Sequence, residues 1–203
     1  MRRNKVKHGY IIVLCGKSAC GKTSIAKQLI KCGYKNVVPY TTRPIRENEV
    51  NGVDYHFVDD VTFDKLDNDG CFVESRTYNT VDGIWKYATR IDNINVQTDS
   101  YVLVATLDVA KIIQEYYGRN HVITIFLTAP LDIRTMRAKH RGNFNLEEWN
   151  RRTITDNQDF KLDTVAKVCD FKVDTSTYPQ RITLQRILKL IHLYIIGGWY
   201  ERT

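Results

Sequence analysis

The 203-residue chain contains no run of 18 apolar residues, so no segment is long enough to cross a bilayer as a helix. Proline is sparse at 4 and glycine at 11, which excludes a collagen-like or low-complexity chain. The five cysteines, Cys15, Cys20, Cys32, Cys71 and Cys169, form no C-x-x-C pair and are odd in number. Neither a disulfide framework nor a zinc site is indicated, and a reducing, cytoplasmic setting is the expectation. Basic Arg2, Arg3, Lys5 and Lys7 followed by apolar Tyr10 to Cys15 imitate a secretory leader. That run is short of the roughly 7–15 apolar residues such a leader needs, and Lys17 and Lys22 follow at once. No internal repeat is present.

What the chain does hold is a core. Forty-three per cent of its residues are apolar and 11% aromatic, which excludes intrinsic disorder. Its net charge of +7 suits an anionic partner: nucleic acid, phosphorylated metabolite or acidic lipid. Charge alone does not choose among them. The basic residues are dispersed, apart from the N-terminal cluster, which reads as a solvated chain end.

Tyr10 to Cys15 is continuously apolar and rich in β-branched residues, as expected of a strand covered on both faces of a parallel sheet. A glycine-containing loop runs from Gly16 to Thr23, and Ser24 to Lys31 follows with helical spacing. Val37 to Tyr40 is a short extended piece. Thr41 to Phe63 reads as loops and small strands. An extended Cys71 to Glu74, a turn at Asp82-Gly83 and a strand around Trp85 to Tyr87 come next. Further strands are expected at Tyr101 to Ala105, His121 to Leu127 and Asp170 to Asp174. Helices are expected at Val109 to Tyr117, from Pro130 through Lys139, as a long helix opened by a capping pair at Asn145 to Glu148, and from Pro179 to Ile196, ended by Gly197-Gly198. The last carries a polar stripe of Arg181, Gln185, Lys189 and His192 and is expected to pack on the core.

Strands alternating with helices give an α/β class with a mainly parallel sheet. Arg43 to Arg90 breaks the alternation and is expected to be an inserted small subdomain.

Gly16-Lys17-Ser18-Ala19-Cys20-Gly21-Lys22-Thr23 matches G-x-x-x-x-G-K-[ST] between a strand and a helix. Backbone N–H groups and a helix N-terminus there make a concave anion site. Gly21 permits the turn, Lys22 neutralises β- and γ-phosphates, and the Thr23 hydroxyl can ligate Mg²⁺. Ser24 continues the site into the helix. Lys17 reads either as part of the site or as a solvated lysine. The loop specifies a nucleoside triphosphate and leaves the phosphate acceptor open.

The acceptor is addressed by the run Tyr40 to Val58. Two guanidiniums at Arg43 and Arg46 and the phenol of Tyr55 can fork around one phosphate dianion. Taken alone, such an arginine pair is more often a solvated ion-pair face. The whole run resembles the guanylate kinase signature T-[ST]-R-x-x-[KR]-x-x-[DE]-x-x-G-x-x-Y-x-[FY]. Each defined position is met, by Thr41, Thr42, Arg43, Arg46, Glu49, Gly52, Tyr55 and Phe57.

The resemblance implies a fold and further residues. The expected fold is a P-loop-type parallel sheet flanked by helices, with a small mixed α/β acceptor subdomain and a helical lid. One domain is expected over 1–203: core 9–42, 98–136 and 153–197, acceptor subdomain 43–97, lid 137–152. Glu74 resembles the family's acidic residue that binds guanine, where a carboxylate accepts from N1–H and the 2-amino group together. Tyr87 and Thr89 resemble the residues that reach the monophosphate and the base. Asp108 sits near an acidic strand-end position, with ordering water on Mg²⁺, binding the guanine amino group and capping a helix as its open readings. Arg137, Arg141 and Arg152 match the spacing of the family's lid arginines, though such residues on Leu131 to Arg137 also read as a solvated helix face.

Departures bear on base selection. Pro39 replaces a serine, Ala88 replaces a glycine, Tyr78 to Gly83 lengthens its segment, and a late asparagine falls on Asp174 or Thr175. The resemblance implies ATP and a nucleoside monophosphate, GMP first, as partners, Mg²⁺ as cofactor, no nucleic acid, no membrane, and a homodimer as an admissible assembly. The alternatives are a kinase acting on dGMP or another monophosphate, and a non-catalytic protein-interaction domain of the same family.

Overall fold

The computed structural model describes residues 9–47, 49–140 and 144–200, the side chains of 198–200 excepted. The chain divides into two compact units. One takes in the residues through Lys35 and from Val96 onward, and the other is Asn36–Asn95.

The first unit is built on a five-stranded sheet of order β2-β7-β1-β8-β9. Its strands are β1 (Ile11–Cys15), β2 (Lys35–Asn36), β7 (Tyr101–Val104), β8 (Val122–Thr128) and β9 (Phe171–Asp174). β1 pairs in parallel with β7 and β8, and β8 with β9. All five β1 residues are fully buried, as an uninterrupted apolar strand in the centre of a covered sheet must be. Each such aliphatic side chain contributes about 1.5–3 kcal/mol of transfer free energy.

The helices of this unit are α1 (Lys22–Lys31), α3 (Leu107–Tyr117), α4 (Leu131–Lys139), α5 (Leu146–Asp159), α6 (Leu162–Val168) and α7 (Gln180–Tyr200). Ile25, Leu29, Ile187 and Ile191 of α1 and α7 join Ile12, Leu14, Ile123 and Ile125 in one core cluster. The polar stripe of α7 faces solvent as expected. The long helix expected after Asn145 is α5, whose first turn is capped by the Asn145 side chain accepting from the Glu148 N–H at 3.0 Å. Phe160, its ring buried against Phe126, ends it, and α6, which no sequence signal marked, follows. Helix α7 continues through Gly197, which costs only about 1 kcal/mol in a helix.

The second unit is a four-stranded sheet of order β4-β3-β6-β5 with one helix. Its elements are β3 (Tyr40–Thr41), β4 (His56–Phe57), α2 (Asp60–Asn68), β5 (Glu74–Thr80) and β6 (Gly83–Thr89). Helix α2 begins inside the stretch to Phe63 that was expected to be loops and small strands. Asp59 caps it by accepting from the Thr62 N–H at 2.7 Å, and Phe63 is its one buried residue, too little for a visible period. Strand β5 begins at Glu74, where the extended Cys71–Glu74 piece was expected to end, and the turn falls at Val81-Asp82. Its sequence ESRTYNT is almost wholly polar, so only its half-buried alternation marks it as a strand.

Candidate active site

The phosphate loop leaves the C-terminal end of β1 and enters α1 at Lys22, two residues earlier than the sequence pattern suggested. Gly21 is the N-terminal boundary residue, in left-handed conformation at φ 96°. Gly16 has φ 145°, and a Cβ there would lie 2.2 Å from the Leu127 carbonyl oxygen, so only glycine fits. Ala19 holds φ 60°, the sole non-glycine with positive φ among the described residues.

Lys22 folds back over this loop. Its Nζ donates to the carbonyl oxygens of Gly16 at 2.6 Å and Lys17 at 3.0 Å. Thr23 and Ser24 are exposed in the first turn of α1. Lys17 donates to Asn157 Oδ1.

A second layer braces the crest. The Ser18 N–H donates to Asp156 Oδ2 at 2.8 Å and the Ser18 hydroxyl to Oδ1 at 3.2 Å. Arg134, 4% exposed, pairs with Asp156 at 3.5 Å and donates to the Ser18 carbonyl at 3.2 Å. Arg134 is therefore not part of a solvated face. It lies over the Trp149 ring and spans from α4 to α5.

Of the lid arginines, Arg137 is beside the loop. It donates to Thr175 Oγ1 at 2.9 Å and to the Thr175 carbonyl at 2.7 Å, and the Thr175 hydroxyl in turn donates to the Cys20 carbonyl at 2.9 Å. Arg152 is held by Glu148 at 2.6 Å, one helical turn back on α5, and Arg151 takes the other oxygen at 2.7 Å. Burial opposes charge on Glu148, but hydrogen bonds from Arg151 and Arg152 outweigh it and carry the carboxyl down to about 2. Arg141 lies outside the described residues. A cleft of about 530 Å³ opens beside Gly21, Ser24 and Arg137, walled by Met136, His140, Thr175, Tyr178 and Gln180.

In the second unit, Arg43 is buried. Its Nη2 meets both oxygens of Glu49 at 2.8 Å, its Nη1 donates to the Pro44 carbonyl, and its guanidinium stands 5.5 Å from the Tyr55 and Phe57 ring centres. Arg46 is half exposed, 3.9 Å from Glu49, and its N–H also donates to Glu49. Burial, then Tyr87, push the Tyr55 phenol up to about 12 against the pull of Arg43, so it stays protonated as a donor. Tyr87 packs edge-on against Tyr55 and Tyr78. Thr89, directly across from Glu74, donates its hydroxyl to Glu74 Oε1 at 3.0 Å. Arg43, Tyr55, Tyr87, Thr89 and Glu74 therefore belong to one sheet assembly. Asp108 does not: it is exposed in the first turn of α3 in the first unit, paired with Lys111. Thr106 is the boundary residue of that helix, so Asp108 is not its cap.

The guanylate kinase family model matches residues 8–173. The chain belongs to the guanylate kinase family. A guanylate kinase of Neisseria gonorrhoeae is 32% identical over 150 residues, covering 72% of this chain and 71% of that one. One from Mycoplasma mobile is 32% identical over 164 residues, 76% of this chain and 81% of that one. The crystal structure of guanylate kinase from Anaplasma phagocytophilum superposes with a TM-score of 0.64 at 25% identity, over 92% of this chain and 86% of that one.

For this guanylate kinase family member, sequence reasoning missed three groups. Asp156 and Arg134 brace the phosphate loop from the same helices as the lid arginines Arg152 and Arg137, at positions that no motif marks. Thr175 was noted only as a departure, yet links Arg137 to Cys20. Glu49 was a motif position without a role, and it aims Arg43. The spacing Arg43 to Glu49 within the signature was the one available signal.

Proposed function

We propose that this chain is an ATP-dependent nucleoside monophosphate kinase that converts ATP and GMP to ADP and GDP. The observation that carries it is the presence, in one chain, of an intact phosphate loop and a complete acceptor signature whose buried Arg43 is aimed by Glu49.

In this proposal the triphosphate lies on Gly16 to Ser24, with Lys22 leaving the Gly16 and Lys17 carbonyls for the β- and γ-phosphates. The adenine takes the cleft of about 530 Å³. Mg²⁺ suits the site, since Thr23 presents an exposed hydroxyl, an oxygen ligand of the kind this ion takes alongside substrate phosphates. When bound, it neutralises charge on the transferring phosphoryl group.

The GMP phosphate sits among Arg43, Arg46, Tyr55 and Tyr87, and Glu74 with Thr89 reads the base. That phosphate is already largely a dianion at pH 7, so an oxygen of it can attack the γ-phosphorus without a general base. The bond to the β-γ bridging oxygen breaks and ADP leaves. Arg137, Arg141 and Arg152 supply positive charge when residues 137–152 close as a lid, and closure keeps water out. The five free thiols suit the cytoplasm.

The test is ADP release from ATP with GMP, dGMP, AMP, CMP and UMP offered in turn. Turnover with GMP is expected. Nucleotide binding without turnover would defeat the proposal.

A further inference from the structure

Glu74 does not stand alone on its strand. Arg76, two residues on, places Nε 2.7 Å from Glu74 Oε2 and Nη2 3.4 Å from Oε1. Residues i and i+2 of a strand share a face, and directly paired antiparallel residues share it too. In the β5–β6 register Glu74 faces Thr89, Arg76 faces Tyr87 and Tyr78 faces Trp85. Arg76 therefore sits on the same sheet face as Glu74, Thr89 and Tyr87, between the base-reading carboxylate and the phosphate-reading phenol of the proposed acceptor site. Its side chain keeps 29% of its accessibility, against 9% for Glu74.

The edge of guanine presents an acceptor and two donors in a row: O6, N1–H and the 2-amino group. A carboxylate satisfies only the two donors, and the Thr89 hydroxyl beside it spends its own hydrogen on Glu74 Oε1 at 3.0 Å. Left without a partner, O6 would be a desolvated acceptor, which costs binding. A donor held beside the carboxylate completes the match. Guanidinium carries five N–H donors in a planar fork, more than one flanking carboxylate takes up. The same pair opposes adenine, which puts an amino group where the guanidinium is and a lone pair where the carboxylate is.

We propose that Arg76 is a specificity-determining residue, donating to O6 of the acceptor base while Glu74 accepts from N1–H and the 2-amino group. This rests on the GMP kinase reading above. It makes base recognition a two-residue device on one strand, with Glu74 ordering the guanidinium before the nucleotide arrives and Arg76 keeping the carboxylate charge-balanced.

The test uses the full chain and compares GMP with 6-thio-GMP, whose sulfur is a poor acceptor at the same position. The parent chain should prefer GMP. Arg76→Met, which removes the donors but keeps much of the bulk, should lower kcat/KM for GMP by about 10- to 100-fold, mainly through KM. It should change the 6-thio-GMP value far less, so the preference collapses. Arg76→Lys should recover part of it. Should Arg76→Met lower both substrates in parallel, Arg76 only sets Glu74 and the assignment is overturned. If the parent shows no turnover with GMP, the kinase reading fails instead. The GMP to 6-thio-GMP ratio is then read by equilibrium binding, where a ratio unaltered by Arg76→Met overturns the assignment and a collapsed ratio sustains it.

Discussion

The Nζ of Lys22 rests 2.6 Å from the carbonyl oxygen of Gly16, six residues back in the same loop. The ammonium thus fills its own loop, on the carbonyls it would exchange for phosphate oxygens in the proposed reaction. Lys22→Ala should cut kcat by roughly 10²–10³-fold, the scale for removing one group that stabilises developing charge. Thermal melting should shift little, because the lysine is half-buried at the loop rim. Comparing kcat with the melting temperature checks both halves.

Gly16 is fixed by geometry. A methyl at this position meets the Leu127 carbonyl at 2.2 Å and requires φ 145° of an L-residue. Gly16→Ala should destabilise by about 2–4 kcal/mol, and denaturant titration should show it as a lower midpoint with an unchanged slope.

The Arg134–Asp156 pair is buried, so its two halves should not behave additively. Asp156→Leu alone strands a guanidinium and should cost about 3–5 kcal/mol. Arg134→Leu with Asp156→Leu should recover only the part due to the stranded guanidinium, because the Ser18 N–H and hydroxyl still lose their acceptor. Both are read from unfolding curves in a double-mutant cycle.

Glu148 has a carboxyl held near 2 in the folded chain, below its ordinary value of 4.5. A depressed folded value means that the charged form stabilises the fold. That contribution is complete above about pH 4.5 and is lost as pH falls toward about 2. Glu148→Gln should flatten the acid limb of a stability–pH profile in this window and leave the neutral region with a constant offset.

Arg43 is buried with its guanidinium aimed by both oxygens of Glu49. Arg43→Lys keeps the charge but not the fork, and should raise KM for GMP by about 10-fold or more while leaving KM for ATP near its original value. Glu49→Gln should move the same constant in the same direction. Steady-state kinetics with each substrate varied separates the two.

Much of the fold is legible in the chain because its signals are physical constraints rather than tendencies. Ile11 to Cys15 has no polar position, so a strand covered on both faces is its natural form. Gly16 and Gly21 sit where side chains do not fit or where φ is positive. Helix α2 and strand β5 escape the same treatment. One has a single buried residue and the other hardly an apolar one, and both are defined by what they pack against.

The site divides in the same way. The residues proposed to face phosphate stand at fixed motif spacing, since backbone geometry dictates where they must lie. Asp156 meets Ser18 across 138 positions of sequence, and Thr175 meets Cys20 across 155. No local pattern encodes a partnership at that range. Asp108, near an acidic strand-end position of the family, stands exposed in the first turn of α3 beside Lys111, and its local pattern assigns it no role.

The tie from Ser18 to Asp156 has a mechanical consequence. Asp156 follows Arg152 on α5 by four residues, about one turn, so the helix that carries an arginine expected to act on the γ-phosphate is bolted to the crest of the loop proposed to receive the triphosphate. Drift of α5 would be transmitted to that crest, and a substitution on the helix far from any nucleotide would be felt as poor seating of ATP.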